Sequence, residues 1–268
     1  MTTESLAESR QHRSLLELVG LSGFAQPESL IHLFVGGSEL HGAKVGKTDD
    51  TDLYGVYLEH PEQALGLDPR EHFVWSTAGD ECRNGPDDVD VTLYSLRKWA
   101  GMAAKGNATA LHFLFAEPQE IEPKSWKKIQ AKQELFLSRN SAKQFLGFAD
   151  DQFKRLTGEK GSGKKGQRSE YIGKYGYDTK AAMHGLRLLY ECLELMAQRR
   201  ITLPRPEKEL LIEVRRGEWT LQQVLAKAQE LTKAVEGTVA TSPLPEMVSR
   251  VAISQLVAQV HLEFWNNR

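Results

Sequence analysis

The chain has 268 residues and a formal net charge of −2, and 40% of its residues are hydrophobic, which is typical of a folded globular protein. No apolar stretch is long enough to span a bilayer, and the first residues lack the basic and apolar segments of a secretory signal. Two cysteines, Cys82 and Cys192, exclude a disulfide framework and a cysteine-based zinc site. We expect a cytoplasmic protein with reduced thiols and no membrane contact.

The charge is unevenly distributed along the chain. Residues 1–120 hold 9 Lys and Arg against 19 Asp and Glu, a balance of −10, whereas residues 121–268 hold 25 against 17, a balance of +8. An acidic first part suits metal binding, and a basic second part suits phosphate binding. A solvated, lysine-rich helical surface would give the same balance in the second part, so both interpretations stay open.

The first 120 residues predict a small unit of helices and short strands. Helical periodicity covers residues 4–19 and ends at glycines. Short apolar runs between turn-rich segments then predict four strands, at Leu30–Val35, Asp52–Leu58, His72–Ser76 and Val89–Tyr94. Two further helices are predicted at Leu96–Ala104 and Ala108–Phe115.

From Ser125 onward the pattern is almost entirely helical. Helices are predicted at residues 125–133, 139–157, 176–199, 207–213, 220–236 and 244–266. The loop Gly158–Gly166 is basic and glycine-rich, but it lacks the hydroxyl residue and the preceding strand of a P-loop, which favours a flexible linker. The predicted fold class is therefore α+β: a small mixed β-sheet with flanking helices at 1–120, followed by an all-helical domain at 121–268.

One stretch of the chain predicts a metal and phosphate site. It consists of a strand that ends at Val35, a glycine turn at Gly37-Ser38 and a strand that begins with Asp50 and Asp52. Residues i and i+2 of a strand share a face, so the two carboxylates lie roughly 6–7 Å apart along the strand. A divalent cation would relieve their repulsion, and hard oxygen ligands suit Mg²⁺. The glycine turn offers backbone N–H groups to a phosphate, and Ser38 adds a hydroxyl. An exposed, aspartate-rich turn is the alternative.

The strand predicted at Val89–Tyr94 offers a third carboxylate. Asp88 and Asp90 share one face of this strand, so one of them completes a cluster of three if the strand lies beside the one that begins at Asp52. An exposed start of a strand would give the same pattern.

Three basic residues lie on one face of the helix predicted at residues 176–199. Lys180, His184 and Arg187 follow an i, i+4, i+7 spacing, which places them in one stripe. Such a stripe could hold a triphosphate near an acidic metal cluster. The alternative is a surface stripe in which His184 is satisfied by packing.

Together these residues resemble the DNA polymerase β nucleotidyltransferase superfamily. Its signature is an apolar strand, Gly-Gly or Gly-Ser, then Asp-x-Asp, and a third Asp on a later strand; the matching residues here are Gly37-Ser38, Asp50-x-Asp52 and Asp90. The polar Thr51 departs from the apolar residue often found between the two acids, but both ligand positions are intact.

More closely, the chain resembles a bacterial and phage family of predicted nucleotidyltransferases associated with RNA repair, and the resemblance spans most of residues 28–210. The segments that carry it are Asp90–Trp99, Lys105–Thr109, Tyr175–Lys180 and Ile201–Pro206.

This resemblance implies a two-metal transfer of an NMP from an NTP to an acceptor hydroxyl, with release of pyrophosphate. The implied catalytic domain is 1–120, and the implied nucleotide- and acceptor-binding domain is 121–268. The cofactor would be two Mg²⁺ ions, with Mn²⁺ as a substitute. The implied catalytic and metal-binding residues are Asp50, Asp52 and Asp90. The implied nucleotide-binding residues are Gly37, Ser38, Lys180, His184 and Arg187.

The acceptor has three alternatives. An RNA 3′ end, for example that of a damaged tRNA, agrees with the basic second half and with the family's association, and single-stranded RNA requires cations and stacking aromatics. Aromatic candidates for this stacking are Trp126, Tyr171, Tyr175 and Tyr177, with core packing as the alternative for Trp126. The second alternative is a hydroxyl of a protein or small molecule, and the third is a non-catalytic module that binds RNA.

Overall fold

The computed structural model describes residues 14–46, 50–78, 88–122, 124–156 and 169–267, with side chains in the last range described from Tyr171 onward. Cys82, the loop Gly158–Gly166 and the first part of the helix predicted at 4–19 lie outside these residues. The described residues combine one four-stranded sheet with helices, which confirms the predicted α+β class. Among the helices described, none has the length and apolar character that crossing a bilayer requires.

The four predicted strands form one mixed sheet. They are β1 (Leu30–Val35), β2 (Thr51–Tyr57), β3 (His72–Ser76) and β4 (Val89–Ser95). Their order is β1-β2-β4-β3, in which β2 and β4 are parallel and the two outer pairs are antiparallel. In β4 the buried residues Val89, Val91 and Leu93 alternate with partly exposed ones, so the sheet has two faces of different character.

The described helices follow in chain order. They are α1 (Leu15–Leu21), α2 (Gly37–Leu40), α3 (Pro61–Leu65), α4 (Leu96–Ala103), α5 (Ala108–Phe115), α6 (Lys124–Gln130), α7 (Ser141–Leu156), α8 (Ser169–Tyr175), α9 (Thr179–Gln198), α10 (Lys208–Arg216), α11 (Leu221–Thr241) and α12 (Arg250–Asn266). The sequence pattern did not predict the short helices α2, α3 and α8.

The chain forms two compact units, and both are discontinuous in sequence. The sheet unit contains residues 1–102, 116–135 and 249–268, and the helical unit contains residues 103–115 and 136–248. The functional division expected at residue 120 stays a prediction.

One face of the sheet packs into the core of the sheet unit. Leu33, Leu53 and Val91 are fully buried there together with Val19 of α1. The helix α1 begins at a capping box in which Ser14 and Glu17 bind each other's backbone N–H groups. Because neighbours in a strand point to opposite faces, Asp52 and Asp90 lie on the other face.

A buried acid–base pair joins the sheet to the last helix of the chain. Glu59, just after β2, is 1% exposed, and its Oε2 lies 2.9 Å from Nε2 of His261 on α12. The other ring nitrogen of His261 lies 2.9 Å from the Val257 carbonyl oxygen, so both ring nitrogens face oxygen atoms. Burial alone would raise the pKa of Glu59, but hydrogen bonds from His261 and Ser95 hold this pKa below its ordinary value.

In the helical unit, α9 is the central helix and packs against α7, α10 and α11. It begins at Thr179 because the Asp178 carboxylate accepts hydrogen bonds from the N–H groups of Lys180 and Ala181. At Gly185 the helix α7 approaches so closely that a β-carbon would lie 2.6 Å from the Phe153 ring. Glycine is therefore required at this helix crossing.

Candidate active site

Three carboxylates that are distant in the sequence converge at one end of the parallel strand pair. Asp52 of β2 lies directly opposite Asp90 of β4, and Asp50 comes one residue before β2 begins. One carboxylate oxygen from each lies within 4.8 Å of the others, and all three residues are partly exposed. The structure thus brings together the three acids that the sequence predicts as one cluster.

The glycine turn at Gly36 and Gly37, where α2 begins, lies directly against this cluster. The N–H of Gly36 donates to the carbonyl oxygen of Asp52 over 2.7 Å, which fixes the turn to β2. Gly37 has a φ of +58°, and a β-carbon there would lie 2.0 Å from Oδ2 of Asp52. Ser38 follows at a partly exposed position in α2. The turn can approach the acid only because residue 37 has no side chain.

The structure also distinguishes the two aspartates at the start of β4. The hydroxyl of Thr77 donates to Oδ1 of Asp88 over 2.6 Å and accepts from the N–H of Val89 over 2.9 Å. Asp88 therefore takes part in the pairing of β3 with β4, whereas Asp90 joins the cluster. The strand pattern left this choice open because it gives no information on the position of Thr77, whereas the family resemblance selected Asp90.

The predicted basic residues of α9 lie in the helical unit, and all three are partly exposed. Arg187 pairs with a neighbour on the same helix, because its Nε lies 3.8 Å from Oε1 of the fully buried Glu191. Glu191 also lies 3.0 Å from Nε2 of His112. Sequence reasoning missed Glu191, although its i+4 spacing from Arg187 indicates a pair.

A family model decides what kind of protein carries this arrangement. The model of the RNA repair pathway DNA polymerase beta family matches residues 6–252, which is nearly the whole chain. The chain belongs to this family. The match confirms the predicted resemblance to nucleotidyltransferases of the DNA polymerase β superfamily.

Two other similarities were found. An uncharacterized 38.9 kDa protein from the nrdC-mobD intergenic region of Enterobacteria phage T4 is 30% identical over 130 residues, which are 47% of this chain and 38% of the phage protein. The chain thus spans well under half of that relative. A nucleotidyltransferase-like protein from Exiguobacterium sibiricum 255-15 aligns with all of this chain and 81% of its own, at 10% identity and a TM-score of 0.30.

The donor set of this RNA repair family member fits a hard divalent cation. Three carboxylates supply only oxygen ligands, which Mg²⁺ and Mn²⁺ prefer over the nitrogen and sulfur that zinc favours. All three residues are partly exposed, although Oδ1 of Asp90 is itself buried. Like charges this close repel each other, so a cation among them would lower the electrostatic energy of the folded chain.

Proposed function

We propose that the chain is a divalent-metal-dependent nucleotidyltransferase that moves an NMP from an NTP to an acceptor hydroxyl. The supporting observation is the convergence of Asp50, Asp52 and Asp90 within 4.8 Å in a member of this family. A module that only bound RNA would gain nothing from three clustered acids, since they repel both each other and a phosphate backbone.

Asp50, Asp52 and Asp90 would hold the metal ions, and Mg²⁺ is the proposed species. When bound, such ions neutralise charge on the transferred phosphoryl group and lower the pKa of the attacking hydroxyl. The acceptor oxygen attacks the α-phosphorus, the bond to the β-phosphate oxygen breaks, and pyrophosphate leaves. Asp90 is the proposed carboxylate that receives the proton from the acceptor hydroxyl.

The phosphates of the nucleotide need donors and cations of their own. Gly37 and Ser38 are proposed to contact the β- and γ-phosphates, because the turn lies against Asp52. Lys180, His184 and Arg187 keep their proposed role as nucleotide-binding residues. Arg187 already faces the carboxylate of Glu191, which offsets part of the positive charge that it offers to a phosphate.

An RNA 3′ end is the proposed acceptor, with a tRNA end as the first to be tested. This proposal is supported by the RNA repair description of the family and by the positive balance of residues 121–268. A polyanionic acceptor is attracted to such a region even before specific contacts form.

The test is a transfer assay with one labelled NTP at a time. The full chain is incubated with Mg²⁺, labelled NTP and either an intact tRNA or a tRNA lacking its terminal nucleotides, and the products are separated by size. We expect lengthened RNA and release of pyrophosphate. Chelation of the metal should abolish both, and Mn²⁺ should restore them.

Other outcomes separate the alternatives. Label on protein or on a small molecule, with unchanged RNA, would replace the proposed acceptor but keep the transfer reaction. Binding of RNA without transfer of any label, and with equal affinity in Asp50→Ala, would overturn the enzymatic proposal itself.

A further inference from the structure

The short helix α8 carries a pair of stacked tyrosines next to a lysine. Tyr171 and Tyr175 lie one helical turn apart. Their ring centroids are 6.3 Å apart with an interplanar angle of 21°, which is an offset-stacked arrangement. Both tyrosines are partly exposed. The ammonium group of Lys174 lies 4.8 Å from the centroid of the Tyr175 ring, and Lys174 itself is exposed.

The glycine turn at Gly217 packs against the Tyr175 ring and restricts the position of the tyrosine pair. Gly217, which ends α10, has a φ of +75°, and a β-carbon there would lie 2.1 Å from the Tyr175 ring. Two residues later, the Trp219 carbonyl oxygen accepts a hydrogen bond of 2.7 Å from the Tyr177 hydroxyl. The turn therefore fixes Tyr175, and Tyr175 supports the ring of Tyr171.

The other aromatic candidates do not offer such a surface. Trp126 is fully buried and stacks on His32 with 4.3 Å between the ring centroids, and Tyr177 is 2% exposed. The structure therefore assigns both to packing. Of the four aromatic residues expected to stack on RNA bases, only Tyr171 and Tyr175 keep partly exposed rings.

We propose that Tyr171, Tyr175 and Lys174 form a platform that binds single-stranded RNA. Every base has a flat face that stacks on an aromatic ring whatever the sequence, and a nearby cation pairs with the phosphate that follows. Tyr171 is the stacking residue, because Tyr175 already contacts both Gly217 and Lys174. Residues 121–268 have an excess of positive charge, which suits a polyanion better than an acidic or neutral partner.

Lys174 is the proposed phosphate contact of the platform. A lysine is already protonated at neutral pH, and the hydrogen bond and charge interaction with Tyr175 raise the pKa of Lys174 further. An exposed contact between a cation and a ring is weak, so the ammonium group can move to a phosphate at small cost. The platform rests on the proposed function in one respect, because it takes the acceptor to be an RNA. It adds that the end of this RNA is unpaired.

The experiment measures binding of a fluorescent single-stranded oligoribonucleotide to the full chain, without metal or NTP. Tyr171→Ala should weaken binding about 5- to 150-fold, as expected for the loss of one stacked base, whereas Tyr171→Phe should bind like the wild type. Lys174→Ala should reduce the slope of log K against log salt by about 0.7, the value for one phosphate contact with a single strand.

Two variants elsewhere in the helical unit serve as matched controls. Phe148→Ala removes an exposed aromatic side chain from α7, and Lys233→Ala removes an exposed lysine from α11. Both should keep the affinity and the salt slope of the wild type. Thermal unfolding of each variant shows whether the chain is folded. If Tyr171→Ala is unstable, Tyr171→Leu tests the platform instead, because it keeps an apolar side chain without an aromatic face and should also weaken binding.

Equal RNA affinity of Tyr171→Ala and the wild type would overturn the platform, as would equal losses in Tyr171→Ala and Phe148→Ala. A Tyr171-dependent preference for duplex over single-stranded RNA would also overturn it. The outcomes for the proposed function are separate. If the chain transfers no nucleotide but binds RNA through Tyr171, the proposed enzyme fails and the platform stands. If the chain extends RNA and Tyr171→Ala has no effect on RNA binding, the platform fails and the enzyme stands.

Discussion

Two parts of the sheet unit place carboxylates in opposite surroundings. At the cluster, Asp50, Asp52 and Asp90 face one another from partly exposed positions. A few residues beyond Asp52, just after β2, Glu59 is buried and faces the imidazole of His261. Removing one partner of a buried acid–base pair leaves the other uncompensated, whereas removing one of several acids that face one another relieves repulsion. The contrast predicts opposite effects of substitution in the two places.

The largest expected effect is on catalysis at the cluster. Asp52→Ala should reduce nucleotidyl transfer by roughly 10³-fold or more, because the metals would lose a central ligand. The same change removes one of three repelling charges, so the melting temperature should stay the same or rise. Transfer rates at saturating NTP and thermal unfolding measure the two effects.

Asp88 and Asp90 provide an internal control for that result. Asp90→Asn should lose activity as Asp52→Ala does. Asp88→Asn should remain active, since the amide oxygen can still accept from the Thr77 hydroxyl. If both variants lost activity equally, the assignment of Asp90 to the cluster and of Asp88 to the strand pairing would be wrong.

The opposite pattern is expected at the buried pair. Glu59→Ala leaves Nε2 of the His261 ring without its buried partner and should lower the free energy of unfolding by about 3–5 kcal/mol. Glu59→Gln should cost less, because its amide oxygen can still accept from the ring. Activity per folded molecule should not change in either variant at low temperature. Urea denaturation gives the first quantity, and a loss of activity in fully folded Glu59→Gln would contradict the structural role.

A smaller effect is expected at the glycine turn, where Gly37→Ala should reduce transfer by about 10- to 100-fold. The new β-carbon would displace the Asp52 carboxylate, from which it would otherwise lie 2.0 Å. Gly46 is the matched control, since it has a φ of +66° but nothing within 4 Å of an added β-carbon. Both variants carry the strain of about 1 kcal/mol for a left-handed residue, so equal activities would show that contact with Asp52 is unimportant.

The smallest effect is on the pH dependence of stability. The pKa of Glu59 is lower in the folded chain than its ordinary value of 4.5, so folded Glu59 binds a proton less readily than unfolded Glu59. Its stabilising contribution is complete above pH 4.5 and is lost as the pH falls through the lower, folded value. Urea midpoints measured from pH 7 to pH 3 should fall more steeply for the wild type than for Glu59→Gln. Parallel curves would mean that Glu59 does not contribute to acid sensitivity.

Local patterns predicted much of the fold and the cluster. Short apolar runs between turn-rich segments predicted all four strands to within one residue at every end, and the i, i+2 spacing placed Asp50 and Asp52 on one face. The choice between Asp88 and Asp90 did not follow from strand alternation, because it depends on the hydroxyl of Thr77 just after β3; the family resemblance selected Asp90.

Local sequence patterns also could not predict contacts between residues that are far apart in the sequence. Glu59 and His261 are 202 positions apart, and no periodicity connects them. The helix predicted from residue 244 begins only at Arg250, because the Ser249 side chain caps it there. Its place in the sheet unit follows from packing, which only the folded chain shows.

The order in which a ribosome makes this chain affects how the sheet unit is completed. Residue 135 emerges well before residue 249, and nearly all of the helical unit is synthesised in between. At about 5–20 residues per second this interval lasts on the order of ten seconds, during which Glu59 has no access to His261. The nascent sheet must therefore persist in an unfinished state until the last helix arrives, and the helical unit has the opportunity to fold first.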